Sequence, residues 1–173
     1  MNKNKIFSLF VILLLFSCIN KKQSNNVDNL KRFNEAKKQK LMIIGKQLKS
    51  LERIVGDSID LKNKAIFIYN GFDCEDCIDI GYKLTKKIDS LSNIQVVYII
   101  ATSTNIGRDQ YRNTYYKFIY FDEHDLIRRE LKYIYTPVII KLDSLNIIED
   151  AFFPNPNRNM KDELIFLKKC IIN

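Results

Sequence analysis

No tryptophan occurs in this sequence, and His124 is its only histidine. That histidine stands between Glu123 and Asp125 at an expected helix start, where it reads as a surface residue. There is no Ser-His-Asp arrangement for nucleophilic hydrolysis, no glycine-rich phosphate loop, and no carboxylate pair at a glycosidase-like site. Internal repeats and low-complexity segments are also missing. Cysteine is sparse: Cys18, Cys74, Cys77 and Cys170. A chain of 173 residues buries a core without disulfide staples, so the thiols are free to serve other ends.

The N-terminal apolar run, Ile6–Phe16 broken by Ser8, is too short for a comfortable membrane span. Preceded by Lys3 and Lys5, it reads as a secretory signal covering residues 1–17. Its ending, Leu15-Phe16-Ser17-Cys18, resembles a bacterial lipobox, which implies lipidation of Cys18 as the first residue of the mature chain. The alternative is an uncleaved N-terminal anchor. Either places the rest of the chain outside the cytoplasm, attached to a membrane, in the bacterial cell envelope facing the periplasm or the exterior.

The net charge is +8; without Lys3 and Lys5 it is 8 − 2 = +6. Its lysines and arginines are interleaved with acids along the chain, as on a solvated surface. Nucleic acid is therefore not an expected partner. Asn20–Asn29 is polar and lacks aromatics, and residues 18–29 read as a flexible tether. Residues 30–63 form a helical extension, with Leu30, Phe33, Leu41, Ile44, Leu48 and Leu51 at near-helical spacing. The pattern predicts one helix from about Val27 to Leu51, then a short strand or turn over Ile54–Leu61.

The remaining residues, 64–173, are organised around Ala65–Leu91. An apolar run, AIFIY, leads through NGFD to Cys74-Glu75-Asp76-Cys77. Ile78, Gly81, Leu84, Thr85, Ile88 and Leu91 follow at spacings of three and four, the buried stripe of an amphipathic helix. Cys77 falls on that stripe, and Cys74 lies at or just before the helix start. First-turn amides lack intrahelical partners and the dipole is positive there, so a thiolate is favoured at that position. The second thiol, shielded and facing inward, can resolve a mixed disulfide formed by the first. Strand, loop, CxxC and helix read as a dithiol redox site.

Downstream, Ile94–Ala101 predicts a strand buried on both faces. Thr102–Gly107 reads as a loop, and Gln110–Phe118 as an aromatic-rich piece that is helix or loop. A short strand, Ile119–Phe121, precedes Asp122 and a helix from about Glu123 to Leu131. Tyr135–Asp143 is a strand with Pro137 at its start. The turn Ser144-Leu145-Asn146 joins it to Ile147–Phe153 as an antiparallel hairpin, and Met160–Ile172 closes the chain as a helix. The string predicts an α/β sandwich around a central mixed sheet.

CxxC after the first central strand, X-Pro at the start of a later strand, then a hairpin and a terminal helix resemble the thioredoxin-like superfamily. The phrase FDEHDLIRRELKYIYTPVIIKLDSLNII is similar to the TlpA-type and redoxin branch. The resemblance implies a three-layer sandwich, attack by Cys74, resolution by Cys77, and a substrate groove shaped by Thr136 and a cis Pro137. No dissociable cofactor is needed, because the dithiol is the redox group. The partners implied are protein thiols or disulfides outside the cytoplasm and an unidentified electron donor. Asp122 is either a proton shuttle or a helix N-cap. TlpA-type proteins usually carry Trp before the motif and proline before its second cysteine; here Asp73 and Asp76 stand there. Negative charge from Asp73, Glu75 and Asp76 opposes thiolate formation and points to a reductant or isomerase rather than a strong oxidant. Alternatives are a binding module with a fixed Cys74–Cys77 disulfide, a copper chaperone and, less supported near Cys74, a peroxidase. Cys170, among apolar neighbours, reads as a buried free thiol.

Overall fold

The computed structural model describes residue 31 and residues 34–56, 59–92, 94–101, 119–157 and 160–171. The signal segment, Cys18, the tether and the pieces expected over 102–118 lie outside these residues. The chain divides into two units, Met1–Lys37 and Lys38–Asn173. In the first, the described positions, 31 and 34–37, are helical. The second unit carries the sheet.

That sheet has five strands in the order β3-β2-β1-β4-β5: β1 Ala65–Tyr69, β2 Val96–Ala101, β3 Ile119–Asp122, β4 Val138–Leu142 and β5 Ile148–Phe152. The β1–β2 and β2–β3 pairs are parallel, and β1–β4 and β4–β5 antiparallel, which makes the sheet mixed as the element order predicts. β1 is buried throughout. Because side chains alternate across a strand, its Ile66 and Ile68 pack into one core with Val97, Ile99 and Ile127. Its Phe67 and Tyr69 face a second core with Tyr82, Leu84 and Phe166.

The long helix expected from Val27 to Leu51 is broken. Helix α1 covers positions 34–43, and Gly45 then takes φ 81°, a conformation favourable to glycine. The Gly45 N–H donates to Ile148 C=O at 2.8 Å, and Gln47 bridges Ile147, so the chain leaves the helix along β5. A separate helix α2, Ser50–Val55, follows. It replaces the strand or turn expected at Ile54 and Val55. Its cap comes from 80 residues away: the Glu130 carboxylate accepts from Lys49 N–H at 2.8 Å and from Ser50 N–H at 2.9 Å. Burial pushes the Glu130 carboxyl up, but these bonds and the Ser50 hydroxyl outweigh it and hold it below its usual range.

Helix α3, Glu75–Leu91, buries Cys77, Ile78, Gly81, Leu84, Thr85 and Ile88 as its period requires, and Tyr82 besides. Leu91 departs from the expected stripe and is exposed. It lies in the last turn, where Ser92 N–H and Oγ–H both bond Ile88 C=O and the chain turns toward β2. Helix α4, Leu126–Glu130, is shorter than the expected 123–131, and α5, Met160–Ile171, packs with β5 and α3.

Gly81 is where α3 meets the sheet. A Cβ there would lie 2.2 Å from the Phe67 ring. That ring cannot step aside cheaply, since it stacks on Tyr69 and meets Tyr82 edge-on. Gly81→Ala is therefore expected to lower stability by about 1–2 kcal/mol, because overpacking exceeds the gain of about 1 kcal/mol in helix propensity. Chemical denaturation measures it, and an unchanged midpoint would show that Phe67 yields.

Candidate active site

Cys74 is the N-cap of α3, exposed, and its carbonyl accepts the helix's first bond from Ile78 N–H at 3.0 Å. Cys77 lies in the first turn and is buried, at 9% exposure. Both are free thiols. One thiol meets solvent at the helix end while the other sits beneath it. Glu75 and Asp76, also in this turn, are exposed.

The loop before Cys74 is closed by Asn70 and Asp73. Asp73 N–H donates to Asn70 C=O at 3.0 Å, and Asn70 N–H to Asp73 Oδ2 at 2.7 Å. The other carboxylate oxygen, Oδ1, accepts from Thr136 Oγ1 at 2.8 Å. Burial raises the Asp73 carboxyl above its ordinary value, against the lowering effects of Asn70, Thr136 and the Arg128 charge. Thr136-Pro137 is a cis peptide immediately before β4. CxxC and X-Pro, 60 residues apart in sequence, are thus joined through Asp73. In the sequence Asp73 stands out only as a charge beside the thiol. Its Asx-type turn is suggested by the NGFD composition, but its partner Thr136 is not. Gln39, which no sequence signal marked, accepts from Tyr135 N–H at 2.6 Å, next to the proline segment.

Asp122, at the end of β3, is 1% exposed. Its two oxygens accept from Leu126 N–H at 2.8 Å and Ile127 N–H at 2.9 Å, so the carboxylate caps α4. Cys170 is buried, and desolvation pushes its thiol up to about 12, which makes it a poor nucleophile. His124 is exposed. Among the described residues, no group of three or more His, Cys, Asp or Glu converges as a metal site.

No family model and no curated protein matches the chain. Solved structures do. A thiol-disulfide isomerase from Corynebacterium glutamicum is 16% identical, with TM-score 0.45 over 69% of this chain and 91% of that one. A secreted Mycobacterium tuberculosis disulfide oxidoreductase homologous to E. coli DsbE is 18% identical, with TM-score 0.45 over 62% and 81%. A DsbF homologue from Corynebacterium diphtheriae is 21% identical, with TM-score 0.43 over 64% and 73%. In this chain, strand order β3-β2-β1-β4-β5 puts CxxC at the helix after β1 and cis-proline before the neighbouring β4. The fold is thioredoxin-like. In this thioredoxin-like chain the dithiol follows the central strand, β1, and X-Pro enters the strand antiparallel to it.

Proposed function

We propose that this protein performs thiol–disulfide exchange on other proteins, as a reductant or isomerase, outside the cytoplasm and anchored through Cys18. The observation that carries the reading is the disposition of the two thiols. Cys74 is exposed at the N-terminus of α3, and Cys77 is buried one turn in. The Cys74 thiolate attacks one sulfur of a substrate disulfide; the new Cys74–substrate bond forms as the substrate S–S bond breaks, and the leaving thiolate takes a proton from solvent. The Cys77 thiolate then attacks the Cys74 sulfur, closing Cys74–Cys77 and releasing the second substrate thiol. The substrate gains two electrons and the dithiol loses two. Thr136 and Pro137 line the groove in which the substrate lies beside Cys74. The signal ending at Cys18 supports the membrane anchor. Among the described residues, no helix is long and apolar enough to cross a membrane.

Redox titration of the purified full chain against glutathione tests the reading. A Cys74–Cys77 potential between about −270 and −180 mV, the span from thioredoxin to protein disulfide isomerase, is expected. A potential below about −300 mV, typical of structural disulfides, would leave a binding module with a fixed staple instead.

A further inference from the structure

The last paired residues of the antiparallel neighbours β1 and β4 are Ile68 and Val138. Past Tyr69, the end of β1, and ahead of Val138 the chain is loop, leading on one side to Cys74 and on the other back to Thr136-Pro137. The Asp73 carboxylate joins the two. Through Oδ2 it accepts Asn70 N–H and fixes its own loop; through Oδ1 it accepts the Thr136 hydroxyl, 63 residues along the chain. The Asn70 side chain adds a bond from Phe72 N–H at 3.0 Å, so the loop bearing the nucleophile is held at both ends.

Resting on the proposed exchange reaction, we infer that Asp73 is a positioning residue: its bond to Thr136 sets the separation between Cys74 and the proline segment that receives the substrate backbone. Exchange requires the attacking, central and leaving sulfurs to lie close to a line. A groove misplaced by about 1 Å disturbs that line enough to cost up to about a hundredfold in rate. The contact uses a charged acceptor and a neutral hydroxyl, among the stronger kinds of hydrogen bond. Asp73 acts through the loop that it closes and through Thr136.

The bond predicts a selective defect. A substrate whose backbone must rest in the groove depends on it; a small disulfide that meets only Cys74 depends on it far less. Full-length wild type, Thr136→Val, Thr136→Ser, Asp73→Ala and the Thr136→Val/Asp73→Ala double variant are assayed with two oxidised probes. One is a decapeptide disulfide dimer, the other 2-hydroxyethyl disulfide. Thr136→Val is expected to lose about tenfold in kcat/KM on the peptide, carried mainly by KM, the loss of about one charge-assisted hydrogen bond. The small disulfide should lose several-fold less. Thr136→Ser, which keeps the hydroxyl, should recover most of the peptide activity. The double variant should be no worse than Asp73→Ala alone, because both changes remove one shared contact.

Equal losses on both probes, additive losses in the double variant, or no rescue by serine would overturn the inference. Each would mean that the bond supports the fold and not the groove. Failure of the dithiol reading is distinguishable: wild type itself would then exchange with neither probe, and the inference would fall with it.

Discussion

Cys77→Ser is expected to hold substrate proteins on Cys74 as mixed disulfides, and Cys74→Ser to reduce exchange to the uncatalysed rate. The asymmetry follows from exposure. Cys74 stands at the open end of α3, whereas Cys77 is buried and, on the proposed exchange, attacks the sulfur already bound to Cys74. Without Cys77 the first attack proceeds and the second cannot. Without Cys74 neither does. Non-reducing electrophoresis after acid quenching reads the trapped species, and the double variant supplies the background. Trapping through Cys77 in Cys74→Ser would reverse the roles; trapping in neither would point to the stapled module.

The second large effect is on stability. Asp150, on β5, is fully buried and carries two ion pairs, to Lys40 of α1 at 2.5 Å and to Lys169 of α5 at 2.7 Å. One buried carboxylate thus ties two helices to β5. Removing both lysines as Lys40→Met/Lys169→Met leaves the charge buried with its main partners gone. Uncompensated burial of this kind costs about 3–5 kcal/mol. We expect about 3 kcal/mol, the lower end, because buried Lys141 lies in register opposite Asp150 and keeps a positive charge near. Adding Asp150→Asn to the double variant should recover part of the loss. Urea denaturation measures all three; no loss in the double variant would show the pairs to be dispensable.

The same carboxylate gives a pH dependence. Burial pushes Asp150 up, but Lys169, Lys40 and the Ala151 N–H outweigh it and hold the carboxyl below its ordinary value. A depressed folded value means that the unfolded chain binds the proton more readily. The stabilisation is therefore complete above the unfolded carboxyl range and lost as pH falls through the lower folded value. In acid, wild type should lose stability more steeply than the Lys40→Met/Lys169→Met variant, in which burial of Asp150 dominates and the linkage has the opposite sign. Parallel denaturation series across that range decide it; identical slopes would assign the acid sensitivity to other groups.

How much was legible varies by element, for identifiable reasons. β1, α3 and the β4–β5 hairpin were readable because local pattern and tertiary environment agree. AIFIY is buried on both faces, the period after Cys77 matches the buried stripe, and Asp143 Oδ1 accepts Leu145 and Ile147 amides within its own turn. The region 44–55 was misread because its helical period continues through Gly45, while the partners that redirect it lie elsewhere. Gly45 gives its amide to Ile148, and α2 is capped by Glu130. Leu91 fitted the stripe, yet the helix ends beside Ser92 before that position is covered.

By itself the sequence determined the order of the described strands and helices from β1 onward, the CxxC at the start of a helix, and the proline at the entry to a later strand. Periodicity, composition and turn chemistry are local properties, and each acts over a few residues. Tertiary structure decided what those pieces do to one another. It buried Asp150 between two lysines and set the Asp73 carboxylate on Thr136 across 63 residues. These are pairings of polar groups brought together by the sheet. A buried carboxylate takes whichever donors the fold presents, and nothing in its own neighbourhood of sequence says which those are.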